Sequence, residues 1–382
     1  MEKEKLGIYI HIPFCVSKCG YCDFCSHPPK KGETERYLNA LMLNMQDFAA
    51  SAKGYSVDTV YIGGGTPTLL SKKQLKDLVD CVFSTFDVEK VAEITIEANP
   101  GIVDKGMLRA LVSAGVNRIS FGLQSASDAE LCALGRIHTV EEFAESFKAA
   151  RSAGFKNINV DLMYGIPNQT EESFAKTLEF VKSLAPEHIS VYGLKIEEGT
   201  PFYERQESLV LPDEESEYRM YRTAHRTLES AAYEHYEISN YARRGFRSRH
   251  NLRYWKDEKY LGFGISAHSY FGRQRYAYTD DIEAYIREME HPASISDILS
   301  ECTDIDVFTK ETEYVMLRMR LFDGVDLIEY RHEFGEDFVR KYGSKLERYA
   351  NGGFVKISDG RCAFTLKGMY VSNYILSDIL DF

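Results

Sequence analysis

The sequence predicts an α/β protein built as an incomplete (β/α)6 barrel of the TIM type. Six short strand-like segments alternate with helical stretches, which indicates a parallel sheet. The unusual polar residues follow the strands, which places them at one rim of a barrel. Six units instead of eight indicate an open barrel. The predicted strands are residues 6–12, 57–62, 92–98, 117–122, 157–163 and 188–194, with helices near 33–52, 72–86 and 105–114.

The predicted domain organisation is a barrel followed by a smaller unit, as the length of 382 residues suggests. The barrel is expected over residues 1–240 and a connecting segment over 241–308. A small α+β domain, winged-helix-like, is expected over 309–382. In that domain, Asp359-Gly360 between two β-rich runs predicts a hairpin turn.

Charge and composition narrow the classes of function. A net charge of −12 argues against a nucleic-acid partner, because phosphate binding needs positive surface. The charged start of the sequence lacks an apolar signal region, and no run of 18 apolar residues occurs, so a cytoplasmic location is expected. The eight cysteines are then expected to be thiols or metal ligands and not disulfides.

A cysteine motif follows the first predicted strand. Cys15, Cys19 and Cys22 have the spacing C-x3-C-x2-C. Thiolates hold four-iron clusters, and three ligands leave one iron open to a substrate or cofactor. A zinc or redox cysteine cluster is the alternative. Cys25 follows the motif three residues later and is interpreted as a free thiol near the cluster.

Other polar and glycine residues fall at the ends of the remaining strands. The run from Gly63 to Gly65 lacks side chains, so its amides can meet a ligand closely, although a tight turn explains it equally well. Glu97 and Asp161 are carboxylates in apolar strands, which is costly unless they are paired. A buried ion pair of Asp161 with Arg136 is the structural alternative.

Three motifs give the chain a family resemblance. Residues 9–15 read YIHIPFC, residues 63–68 read GGGTPT and residues 121–124 read FGLQ. These motifs and the cysteine spacing resemble the radical SAM superfamily, in the branch with oxygen-independent coproporphyrinogen III oxidase and HemW-type haem chaperones. The resemblance implies a [4Fe-4S] cluster that reductively cleaves S-adenosylmethionine held on its open iron, and a HemN-type C-terminal domain. It implies cofactor contacts from Tyr9, Tyr21, Gly64, Gly65, Thr66, Glu97, Gln124, Arg136, Asp161 and Lys195.

Another motif, H-N-x-x-Y-W, begins at His250. It resembles a motif of the HemW-type chaperones, in which the histidine is a proposed haem contact. Arginine suits the carboxylates of haem propionates, and imidazole is the usual ligand of haem iron. A core histidine beside a solvated basic loop is the alternative. The basic residues near His250 are Arg243, Arg244, Arg247, Arg249, Arg253 and Lys256.

The resemblance therefore implies a haem chaperone that receives electrons from a donor and delivers haem to haemoproteins such as respiratory enzymes. Whether it also catalyses a reaction is left open. The alternative is oxidative decarboxylation of coproporphyrinogen. The position of Cys25 departs from the oxidase pattern and favours the chaperone. Lys195 and His268 stand where the oxidase has apolar residues, which leaves the number of cofactor molecules open.

Overall fold

The computed structural model describes residues 3–290 and 298–381. Residues 1, 2, 291–297 and 382, which the predicted domain ranges include, lie outside the described residues. Six parallel strands form the centre of the fold in sequence order, and all six predicted strands are confirmed within a few residues. They are β1 Glu4–Ile12, β2 Tyr55–Gly64, β3 Val88–Ala98, β4 Arg118–Gln124, β5 Ile158–Tyr164 and β6 His188–Gly193.

Helices cover the outer face of these strands, and the strand residues that face them are apolar. The inner face carries buried polar residues such as Thr95, Arg118 and Asn159. Several helices begin with a capping box, as at Ser71, Thr139 and Thr170. The helices of the barrel are α1 Glu33–Asp47, α2 Lys72–Thr85, α3 Lys105–Ser113, α4 Asp128–Leu134, α5 Val140–Ala153, α6 Glu171–Leu184, α7 Pro201–Glu204 and α8 Glu214–Ser230. Short 3₁₀ turns occupy Ser51–Gly54, Pro67–Leu69 and Gln206–Ser208.

The segment predicted as a connection, residues 241–308, instead extends the same sheet. Its first long strand pairs parallel to β1, with Gly7 opposite Tyr260, and three antiparallel strands continue outward. Two short strands extend the other edge beside β6, and no pairing among the described residues joins the two edges. The barrel is therefore open. These elements are β7 Glu234–His235, β8 Asn240–Ala242, α9 Arg249–Trp255, β9 Tyr260–Phe263, β10 His268–Phe271, β11 Gln274–Tyr278, α10 Ile282–Glu290 and β12 Leu299–Asp304.

The C-terminal unit is a small α+β domain with a three-stranded sheet, as predicted. Its hairpin turns at Asp359 and Gly360, whose φ angles of 54° and 74° are those of a type I′ turn. The domain meets the barrel where the ring of Phe322 lies 4.2 Å from that of His235. Its elements are α11 Val307–Arg318, β13 Val325–Asp326, α12 Leu327–Phe334, α13 Phe338–Asn351, β14 Val355–Ser358, β15 Arg361–Phe364, α14 Leu366–Tyr370 and α15 Ser372–Leu380. No helix within residues 3–290 and 298–381 has the length and apolar character needed to cross a membrane.

Candidate functional site

A central cavity of about 300 Å³ opens at the carboxyl ends of the parallel strands. The fold brings most of the predicted site residues together in its walls, because the ends of parallel strands meet at one rim. The predicted residues that line this central cavity are Cys15, Cys19, Tyr21, Cys22, Gly64, Gly65, Glu97, Gln124, Arg136 and Asp161.

The three motif cysteines lie in a loop that closes on itself directly after β1. The amide of Cys15 donates to the carbonyl of His27 at 3.0 Å, and the amide of His27 donates to Pro13 at 2.9 Å. All three thiols are free and partly exposed. Burial, together with the neighbouring thiols, raises the pKa of Cys22 to about 11. A wall of crowded thiols of this kind is suited to a cationic iron group.

The geometry of the thiols also bears on the zinc alternative. Within residues 3–290 and 298–381, no group of three or more His, Cys, Asp or Glu side chains is arranged around a single-ion position. A structural zinc site needs four converging ligands. A four-iron cluster holds its thiolates on separate irons, so they need not converge on one point. The donor set, three thiols in one cavity wall, therefore fits a cluster with an open iron better than it fits zinc.

A chain of polar contacts fixes the cysteine loop to the rim of the barrel. The guanidinium of Arg136 donates to Sγ of Cys19 at 3.6 Å and to Oδ1 of Asn99 at 2.8 Å. Asn99 donates to Oγ1 of Thr66 at 2.8 Å, and Thr66 lies 3.5 Å from Sγ of Cys15. Thr66 is thus buried behind the loop instead of facing the central cavity. Asn99 belongs to the site but was not predicted, although it follows β3 by one residue.

The glycines at the end of β2 are required by contacts within the chain itself. Gly64 has a φ of 109°, and a Cβ there would lie 2.5 Å from the ring of His11. A Cβ on Gly65 would lie 2.6 Å from the carbonyl oxygen of Phe14, which precedes the first motif cysteine. The amide of Gly64 donates to Glu97 at 3.0 Å. The run therefore packs against the cysteine loop, in addition to lining the central cavity.

Glu97 and Asp161 hold carboxylates in the wall of the central cavity. Glu97 accepts from the hydroxyl of Tyr61 at 2.8 Å, and burial raises its pKa to about 7. Asp161 accepts from Ser120 at 2.9 Å and from Asn159 at 2.8 Å, and burial raises its pKa as well. Asp161 makes no ion pair with Arg136, so the ion-pair interpretation of this aspartate does not hold.

A buried arginine that was not predicted lies beneath these carboxylates. Arg118, at the start of β4, is 1% exposed. Burial is the largest effect and raises the pKa of both Glu97 and Asp161, and the charge of Arg118 offsets a small part of that rise. A lone arginine at a strand start gives no sequence signal of burial. Together with Arg136, whose Nε is buried without a partner, it gives the site both signs of charge. Such a set fits a zwitterionic ligand with a cationic centre, as S-adenosylmethionine is.

Four predicted residues do not line the central cavity: Thr66, Tyr9, His250 and Lys195, the last of which is exposed beyond the end of β6. Tyr9 lines a second cavity and bonds to the ring of His11 at 3.0 Å. His250 is 1% exposed beneath Tyr61, and both of its ring nitrogens are engaged, with Thr59 at 3.0 Å and Tyr254 at 2.8 Å. The expectation that His250 faces a haem is therefore not met, because α9 turns this side chain into the barrel interior.

The basic residues around His250 are mostly engaged as well. Arg253 is 2% exposed and paired with Asp58, and Arg249 pairs with the same carboxylate at 3.2 Å. Arg247 pairs with Glu234. These arginines hold α9 against the strands, and their guanidinium groups are already partnered by carboxylates. These guanidinium groups therefore serve as packing contacts, whereas Tyr254 of the same segment lines the second cavity.

Comparison with known proteins places this architecture. The Radical SAM superfamily profile matches residues 9–181, and the HemN C-terminal domain profile matches residues 311–371. Among solved structures, coproporphyrinogen III oxidase (HemN) from Escherichia coli has a TM-score of 0.86 over 100% of this chain and 90% of that one. At 24% identity it is evidence for the fold alone. The predicted fold class is confirmed.

The open barrel, the cysteine loop and the matched profile define a radical SAM protein, a class that uses a [4Fe-4S] cluster and S-adenosylmethionine. The haem chaperone HemW of Bacillus subtilis is 35% identical over 97% of this chain and 98% of its own length. HemW of Escherichia coli is 38% identical, with 88% of each chain covered. The chain belongs to the HemW family, which confirms the predicted resemblance.

Proposed function

We propose that this chain is a haem chaperone that carries a [4Fe-4S] cluster on Cys15, Cys19 and Cys22 and binds S-adenosylmethionine in the central cavity. The observation that carries the cofactor part is the convergence of the three thiols and the charged rim residues on one cavity. The haem part is supported by the names of the relatives that are similar over almost the whole chain.

The chain's own residues divide the work of binding the cofactors. When bound, the cluster supplies the electron for cleavage of S-adenosylmethionine. Arg136 holds the cysteine loop in place, because its charged guanidinium group donates to the sulfur of Cys19. Glu97 and Asp161 provide carboxylates for the positively charged end of the ligand and for its hydroxyl groups. Tyr61 keeps Glu97 oriented through its hydrogen bond.

We propose that haem is cargo, handed on to haemoproteins, and that an electron donor reduces the cluster. Oxidative decarboxylation of coproporphyrinogen is the competing function. The test is to purify the full chain anaerobically, titrate it with haem by absorbance, and measure coproporphyrinogen consumption in the same preparation. Haem binding without consumption is expected. Consumption without haem binding would contradict the chaperone function.

The cofactor assignment has its own experiment. The spectrum of the reduced cluster should change when S-adenosylmethionine is added. In Asp161→Asn, the loss of a charge-assisted contact worth about 1.5–3 kcal/mol should weaken this response by roughly tenfold or more. Asp77→Asn on the outer surface of α2 is the matched control and should respond as wild type. Equal responses of the two variants would contradict the assignment.

A further inference from the structure

A second, lateral cavity of about 840 Å³ opens beside β1, β9 and β10, on the other side of the cysteine loop. It is larger than the central cavity of about 300 Å³, which the cofactors are proposed to fill. Its size is in the range of about 300–1,000 Å³ that is typical of small-molecule sites. Phe24 and Lys18 line both cavities, so the cysteine loop forms the wall between them.

Three histidines line the lateral cavity, and two of them are engaged. His11 bonds to Tyr9 and to the carbonyl of Cys25 at 2.8 Å, and His27 faces Glu33 at 3.2 Å. His268, the first residue of β10, is exposed, and its ring has no recorded hydrogen bond or ion pair to the described residues. A free imidazole at the edge of a large cavity is suited to ligate haem iron.

The other walls of the lateral cavity are suited to a flat aromatic molecule. The ring of Phe24 is 58% exposed and lines both cavities, so its surface is available to a ligand. Tyr254 and Tyr260 meet edge to face at 4.6 Å on the opposite side. Aromatic rings of this kind can pack against a macrocycle. The ammonium of Lys18 can meet a propionate, which the exposed carboxylates on this cavity would otherwise repel.

The H-N-x-x-Y-W motif reaches the lateral cavity through its tyrosine and not through its histidine. Nε2 of His250 bonds to the hydroxyl of Tyr254 at 2.8 Å, and Tyr254 lines the cavity. Nδ1 of His250 is held by Thr59. His250 is thereby placed to orient the tyrosine from behind.

We propose that haem binds in the lateral cavity with the imidazole of His268 on its iron, and that His250 is a positioning residue that acts through Tyr254. This inference rests on the proposed haem function and assigns a place to it. The thiol of Cys25 also lines the cavity, but its Sγ lies 4.0 Å from the carbonyl of Asp280, toward which it can donate. The imidazole is therefore assigned as the ligand.

The test is a titration of ferric haem into the anaerobic full-length protein, followed by visible absorbance. His268→Ala should lose the absorbance of imidazole-ligated haem. Added free imidazole should restore it in haem that stays with the protein through gel filtration, whereas a merely structural role of His268 would leave no protein-bound haem to be restored. Cys25→Ala, the matched control in the same cavity, should keep the wild-type spectrum. Circular dichroism checks that each variant is folded.

The positioning role of His250 is tested separately. Tyr254→Phe removes one hydrogen bond of about 0.5–1.5 kcal/mol, so haem affinity should fall by roughly two- to tenfold with the ligand spectrum unchanged. His250→Gln should have a similar effect, and the double variant should be no weaker than Tyr254→Phe alone. If His250→Gln removes the imidazole spectrum and His268→Ala does not, the proposal is overturned.

Two further outcomes are decisive. A changed spectrum in Cys25→Ala with an unchanged one in His268→Ala would overturn the assignment of the ligand. Absence of haem binding by the wild type would instead refute the proposed haem function, which distinguishes its failure from failure of the lateral site.

Discussion

Replacing Glu97 by glutamine is expected to stabilise the protein while weakening its binding of S-adenosylmethionine. Burial raises the pKa of Glu97 from an ordinary value of 4.5 to about 7. The unfolded chain ionises this group above its ordinary pKa, whereas the folded chain keeps it protonated up to about pH 7. Folding therefore loses stability as the pH rises through this interval.

The magnitude follows from the two pKa values. One pKa unit corresponds to about 1.36 kcal/mol. Ionisation of Glu97 above pH 7 therefore lowers the free energy of unfolding by at most about 3 kcal/mol. Glutamine cannot ionise, and it can accept from the amide of Gly64 while donating to Tyr61. Urea unfolding at matched iron content should give equal free energies of unfolding for Glu97→Gln and wild type near pH 4. By pH 8 the variant should be the more stable.

Glu93 provides a control on the same strand. Its carboxylate accepts from the amides of Arg249 and His250, both at 3.1 Å, at the start of α9. Glu93→Gln weakens these charge-assisted bonds and should destabilise the protein by about 1–3 kcal/mol. If Glu97→Gln is instead less stable than wild type at pH 8, Glu97 has a structural role and the assignment of its charge to a ligand is refuted.

Three sets of variants test the cysteine loop and its support. Alanine at Cys15, Cys19 or Cys22 should remove most of the cluster iron, whereas Cys25→Ala should retain it. Iron analysis measures this. Full iron in every variant would contradict the cluster assignment. Gly65→Ala should also lower iron content, since its Cβ would strike the backbone of the cysteine loop; unchanged iron would refute this. Asn99→Ala breaks the link between Arg136 and Thr66 and should make the cluster more labile to chelators; wild-type lability would contradict that.

The parts of the fold that follow from local sequence were predictable. The parallel strands present apolar residues to the surrounding helices, which marks them as strands, and their unusual polar residues collect at one rim because the strands share a direction. The strands β9–β12 were missed because each has only four to six residues and gains its stability from pairing with distant strands. Pairing over such distances leaves little trace in a local pattern.

The depth of a side chain was the other feature that the sequence did not reveal. Arg118 and His250 are both 1% exposed, although arginine is mostly exposed in proteins and histidine is intermediate in burial. Helix α9 is only two turns long, so its orientation is decided by the carboxylate of Glu93 and the pairing of Arg253 with Asp58. The motif is correct as a mark of family, but it does not say which of its residues faces a ligand.

The buried state of His250 can be tested by acid stability. Burial, with a contribution from the charge of Arg253, lowers the pKa of His250 from 6.5 to about 3. As the pH falls from 7.5 to 5, the unfolded chain protonates this histidine and the folded chain does not, so the wild type should lose about 2 kcal/mol. In His250→Gln, the glutamine can still hydrogen-bond to Thr59 and Tyr254. Because every other titrating group is common to both proteins, the variant should lose less free energy of unfolding than wild type over this pH interval. The measurement is urea unfolding of both proteins at the two pH values. Parallel losses would mean that the pKa of His250 is the same in the folded and unfolded chain, which contradicts its burial, and the positioning role would fall.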